Sequence, residues 1–200
     1  MSRLNKAFEL FDAYNKQDPR SFTWEGVSAP QEYFFAVKLY EWVLKLDPGA
    51  DEELLLASRS QHIGRWEIPR EDYPEGRDPY LKWRKYLAQH HAGIAARLMT
   101  EAGYGEETID RVKQIILKQR IKVDPDVQTM ENALCLVFLQ LQYEEFRKKY
   151  EDEPGKIINI LRKSLLKMDA NGHRFALTLP YSTDGFNLIK EALDSLKPKP

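Results

Sequence analysis

The chain has 200 residues, of which 42% are apolar and 30% charged, a balance that suits a globular protein and excludes an extended disordered chain. Thirty Lys plus Arg against thirty-one Asp plus Glu leave a net charge of −1, so no global field draws the chain to nucleic acid or to an anionic membrane. The one cysteine, Cys135, excludes an internal disulfide and any cysteine-based zinc motif.

In chain order, the apolar spacing is mostly helical. Leu4, Phe8, Phe11 and Tyr14 make a first stripe, which Asp18-Pro19 ends. Residues 21–29 are expected to be a loop. Pro30 opens a helix through Phe34, Val37, Trp42 and Leu46, closed by Asp47-Pro48-Gly49. Asp51 caps a third helix, expected to run to about Arg65. Trp66 to Arg77 holds two prolines and a glycine and is expected to be an irregular polar loop. A long helix follows from Pro79 to Ala102, stopped by Gly103, and another runs from Glu106 to Gln119. Pro125 opens a helix through Tyr143, whose Leu134–Leu139 segment is apolar almost all round and so belongs in a core, Cys135 included. Pro154 opens a helix ending near Met168, Asn171-Gly172 is expected to be a turn, and Phe186 to Leu196 closes the chain.

No strand alternation stands out. The expected fold is all-α, with seven or eight helices in a single domain over 1–196 and a flexible tail at 197–200. No apolar run reaches the roughly 20 residues of a membrane-spanning helix. The N-terminus lacks the apolar stretch of a signal peptide, so the cytoplasm is the expected location.

Two constellations carry chemistry. His62, His91 and Glu131 fall on three separate helical stretches, a pattern that suits a mixed nitrogen and oxygen site for a divalent ion such as Zn, Mn or Fe. The alternative is three ordinary polar positions on helix faces. Arg59, His62 and Arg65 recur at i, i+3 and i+6, followed by Arg70 and Arg77, with Trp66, Tyr73, Tyr80 and Trp83 nearby. Guanidinium forks and aromatic faces together suit a phosphorylated ligand such as a nucleotide. The alternative is a loop fastened by ion pairs to Glu67, Glu71, Asp72, Glu75 and Asp78. Lys113, Lys118, Arg120 and Lys122 are expected to be a solvated helix end that complements the dipole. His62-Ile63-Gly64-Arg65 and Lys167-Met168-Asp169 resemble two motifs of class I aminoacyl-tRNA synthetases. The chain lacks the strand–helix alternation that the synthetase sheet needs.

Several motifs in order carry a more specific resemblance. They are Ala57 to Arg70, Tyr80 to Arg84 with His91-Ala92, Gln128 to Leu139, and Arg162-Lys163 with Lys167-Met168. On these, nearly the whole chain resembles the family called domain of unknown function 4202, which implies membership without an activity. His90 is extra to that pattern, and Asn132 stands where the pattern tends to be acidic. A more distant analogy is to the helical HD-type phosphohydrolases. His62, His91 and Glu131 follow their ligand order, though Ala92 and Glu131 both replace Asp.

The expected function is therefore a metal-dependent hydrolase of a phosphorylated small molecule or nucleotide. The metal would sit on His62, His91 and Glu131. Arg59, Arg65, Arg70, Arg77, Trp66 and Trp83 would bind the substrate, and Glu67 would be general base if it reaches the bound water. Alternatives are a non-catalytic module that binds an anion or a partner, and a non-haem iron oxygenase. His62 and His91 are expected to face each other, with the loop from Trp66 to Arg77 lining the adjacent cleft.

Overall fold

The computed structural model describes residues 2–196, so the expected tail at 197–200 lies outside the described residues. These form two compact units that divide between Arg120 and Ile121. The first unit contains α1 (Arg3–Asn15), β1 (Ser21–Trp24), β2 (Val27–Pro30), α2 (Gln31–Leu46), α3 (Glu52–Ser60), α4 (Arg77–Ala102) and α5 (Glu106–Ile116). The second contains α6 (Pro125–Leu141), α7 (Tyr143–Lys149), α8 (Pro154–Leu165), α9 (Ala170–Ala176) and α10 (Thr183–Asp194). The all-α class expected from the sequence holds, with ten helices among the described residues rather than seven or eight.

In the first unit, α3 touches α1, α2, α4 and α5 and is the centre of the packing. Its Leu54, Leu56 and Ala57 are fully buried. Ser58 and Ser60 are fully buried as well. Each satisfies its hydroxyl on a carbonyl of the preceding turn, Leu55 and Leu56 respectively. In the second unit, α6 touches α7 and α9, and α8 pairs with α10. Caps set several helix starts. Ser2, Asp124, Asp169 and Ser182 each accept backbone N–H groups of the first turn that follows. Gly103, at φ +94, closes α4 by donating to the Thr100 carbonyl while Tyr104 donates to Met99.

Four expectations need correction. The loop expected at 21–29 is mostly an antiparallel hairpin, registered Ser21 to Pro30 and Trp24 to Val27. Its two-residue turn is Glu25-Gly26, both at positive φ (49° and 79°), where a glutamate gives a weaker signal than Asn or Asp. Phe22 holds the hairpin on α2 through Phe34 and Phe35, with ring centroids 5.1 and 4.7 Å away. The helix opened by Pro125 stops at Leu141 and resumes as α7, because Gln142 leaves helical geometry at φ −125°. Asn171-Gly172 is no turn but lies in α9, which Asp169 caps through the Gly172 N–H at 3.0 Å. Finally, α3 ends at Ser60, so His62 stands in the turn beyond it, and short 3-10 turns at Arg65–Glu67 and Arg70–Asp72 interrupt the expected loop.

Gly64 makes the turn after α3. It lies at φ +71°, and a Cβ there would meet Ile94 Cδ1 at 2.4 Å. Gly64→Ala therefore combines a left-handed backbone with overpacking and should destabilise the first unit by about 2–4 kcal/mol, read from urea melts.

Candidate functional site

The turn after α3, the first half of α4 and the end of α5 line a cleft of about 390 Å³ in the first unit. Tyr80, Arg84, Leu87 and His91 reach it from one face of α4, at spacings of four, three and four. Gln61, His62 and Arg65 come from the turn after α3, and Lys118 from the end of α5. Four lining side chains are cations, Arg65, Arg84, Lys85 and Lys118, and none is a carboxylate.

His91 is 2% exposed. Its Nδ1–H donates to the Ile63 carbonyl at 2.6 Å, which leaves Nε2 as a bare lone pair, buried and without a partner. Burial holds the imidazole neutral, with its pKa pulled down to about 3. The His62 ring lies 5.7 Å from it, so the two imidazoles face each other. Burial, then the charge of Arg65, holds His62 well below the ordinary range too. Gln61 is buried beside them. Its Nε2 donates to the Ile116 carbonyl at 3.0 Å, and its Oε1 is buried without a partner.

Arg65 spreads over the Trp83 ring, 5.5 Å from its centroid, and its Nε lies 3.9 Å from Glu32 Oε1. Burial pulls the Arg65 pKa down and Glu32 raises it. Glu32 is buried at the start of α2, which raises its own pKa, and Arg65 and Arg20 oppose that rise. Arg20 Nη2 donates to Glu32 Oε1 at 2.9 Å and also, together with Nε, to the Asp18 carboxylate at 3.0 Å.

Among the residues expected to bind substrate, Arg65 and Trp83 line the cleft, as do His62 and His91. Arg59, Arg70, Arg77 and Trp66 do not, and no residue of the loop from Trp66 to Arg77 does. Arg59 is buried between α1 and α3, where it pairs with Asp12 and lies over the Phe8 and Tyr40 rings. Arg70 donates to the carbonyls of Tyr73 and Pro74 at 2.8 and 3.0 Å and so closes its own loop. Trp83 Nε1 donates to Ile68 O at 3.0 Å and fastens that loop to α4. Trp66 leans on Tyr14, and Arg77 is exposed at the first residue of α4. Glu67 accepts from the Tyr14 hydroxyl and meets His90 Nε2, each at 2.7 Å, outside the cleft. His90 thus holds Glu67 rather than joining the facing pair.

Glu131 belongs to the second unit, where its buried carboxylate lies 3.4 Å from Lys167 Nζ. Its neighbour Asn132 has a structural role. Its Oδ1 accepts from Gln128 Nε2 and the Asp169 N–H, and its Nδ2 donates to Asp169 Oδ1, which ties α6 to the cap of α9. Among the described residues, no group of three or more His, Cys, Asp and Glu is placed to hold a metal ion.

Tyr80, read with the aromatic residues beside the arginines, also lines the cleft, whereas sequence reasoning missed Gln61, Arg84 and Lys85. The helical spacing from Tyr80 through Arg84 to His91 was the signal available for Arg84. Lys118, expected in a solvated helix end, has no such signal. It lines the cleft from just past α5, where its backbone is left-handed at φ +55°.

His91 links this geometry to acid stability. Unfolded, it takes a proton near its ordinary value of 6.5, whereas the folded site holds off that proton until about 3. The unfolded state then binds the extra proton, so this contribution is fully present above about 6.5 and is lost as pH falls toward about 3. His91→Gln cannot titrate and should lack this loss. Its stability deficit relative to the parent, from urea melts between about pH 7 and pH 4.5, should narrow as pH falls.

Among the described residues, no helix is long and apolar enough to cross a membrane. No curated protein and no solved structure matches the chain. A family model does match it over residues 5–189, spanning the turn after α3, α4 and α6, so the chain belongs to the family described as domain of unknown function (DUF4202).

Proposed function

We propose that the first unit binds a small molecule bearing a phosphate or a similar anionic group. The observation that carries this is the charge of the cleft: four cationic side chains line it, with no carboxylate among them. A cluster of like charges repels itself and is stabilised by an anion that binds it. Arg65 is already stiffened by Trp83 and Glu32, which lowers the entropy lost when its guanidinium closes on a phosphate. Tyr80 adds a 40% exposed aromatic face at the same place, which favours a ligand with a planar ring, such as a nucleotide.

Hydrolysis of that ligand by a divalent ion on His62, His91 and Glu131, with Glu67 as base, has narrower support. The facing neutral imidazoles favour it. The cations around them oppose another positive charge, and the cleft offers no carboxylate, so the lining of the first unit alone does not fit a metal centre. Elemental analysis decides the matter: about one equivalent of Zn, Mn or Fe, lost in His62→Ala, would support the hydrolase, and no metal would leave the binding function alone.

Isothermal titration with inorganic phosphate and with adenosine monophosphate tests the binding. Arg65→Ala and Arg84→Ala should each weaken affinity by about 10- to 100-fold, the scale of a lost charge-assisted hydrogen bond. Arg70→Ala should leave affinity nearly unchanged and cost about 1 kcal/mol of stability in urea melts, since its donors close its own loop. Equal affinity in all four proteins would overturn the assignment of the cleft.

A further inference from the structure

The cleft holds acceptors among its donors. Arg65, Arg84, Lys85 and Lys118 can only donate. Gln61 and His91 differ. The amide of Gln61 is oriented by the Ile116 carbonyl, which takes a hydrogen bond from Nε2 at 3.0 Å and so must face the nitrogen. Oε1 is left on the other side. The ring of His91 is oriented by the Ile63 carbonyl at 2.6 Å, which fixes the proton on Nδ1 and leaves Nε2 bare. Both residues line the cleft, at 4% and 2% exposure, and neither Oε1 nor Nε2 has a partner.

Buried polar atoms are almost always satisfied, and an orphan carries the full loss of its hydration. Two orphans of the same kind, on two residues that line one cleft, each oriented by a separate backbone carbonyl, mark a place where a donor is missing. We infer that the cleft selects a phosphate monoester that also carries O–H or N–H donors, which Gln61 Oε1 and His91 Nε2 accept while the cations hold the phosphate. This rests on the anion-binding function proposed above and narrows it. A site built around buried acceptors discriminates strongly against an analogue without the donor, because binding that analogue leaves the acceptors unpaired in a water-free place.

The test compares matched ligands on the intact chain by isothermal titration. The ligands are inorganic phosphate, adenosine monophosphate, its 2′,3′-dideoxy analogue without ribose hydroxyls, and purine riboside monophosphate without the exocyclic amine. Adenosine monophosphate should bind more tightly than phosphate. At least one of the two trimmed analogues should lose about tenfold or more, and which one identifies the donor as hydroxyl or amine. In Gln61→Met and His91→Phe that difference should shrink. The comparison on the parent protein needs neither variant to fold. If phosphate binds but all three nucleotides bind equally, donor selection is wrong and the anion site stands. If neither phosphate nor any nucleotide binds, both are wrong. One equivalent of divalent metal that is lost in His91→Phe would also overturn the inference, by making Nε2 a metal ligand.

Discussion

The hydrogen bond from His91 Nδ1 to the Ile63 carbonyl joins the turn after α3 to the middle of α4, and much of the first unit depends on it. It can form only because the chain reverses at Gly64, in a left-handed conformation with no room for a side chain against Ile94. The reversal brings His62 over His91 and sends Arg65 toward Trp83. A buried ring held by a backbone carbonyl has one tautomer, and so a defined acceptor. One contact thus ties the path of the backbone to the orientation of the His91 imidazole and to the acceptor it leaves bare.

The charges are arranged in layers around that contact. Arg65 faces the cleft, and the carboxylate that balances it stands behind. Glu32 lies behind Arg65, shared with Arg20, and Asp18 anchors Arg20 in turn while accepting the Glu32 N–H. A half-buried arginine keeps its charge at low cost when a carboxylate stands nearby on the side away from the ligand. The hairpin between α1 and α2 contributes to this. It carries the chain from Asp18 and Arg20 back to the first turn of α2, where Glu32 waits, and Phe22 holds it there.

Much of the helical scaffold could be read from apolar stripes, because burial on one face is a local pattern. What escaped reading was local geometry that departs from residue preference. Glu25, Lys118, Arg120 and Lys122 all adopt positive φ without being glycine or asparagine, so the hairpin turn carried a weak signal and the end of α5 none. The site was legible in part. His62, His91, Arg65 and Trp83 were read as functional and share one cleft. Arg59 sits on the same turn of sequence but points into the core toward Asp12, a difference that spacing alone cannot show. Arg70 was read as a ligand donor because its charge is visible in sequence, whereas the carbonyls it satisfies are not. On α4, Arg84 lies at helical spacing between Tyr80 and His91 and was visible, but the loop before it, with its two prolines, is the louder compositional feature.

Asn171-Gly172 is the dipeptide at which asparagine deamidates most readily in a flexible chain, because the following nitrogen can curl back onto the side-chain carbon. In this protein the step lies in the first turn of α9. The nitrogen that would attack, Gly172 N–H, is instead donated to Asp169 Oδ1, while Arg174 holds the Asn171 side-chain oxygen at 2.9 Å. Gly172 can carry no side chain to slow the attack, since a Cβ there would lie 2.6 Å from Asn132 Oδ1. Protection from chemical ageing at this step therefore rests on the Asp169 cap staying closed. Slow accumulation of aspartate and isoaspartate at Asn171 in stored protein would act as a clock for the local opening of that turn.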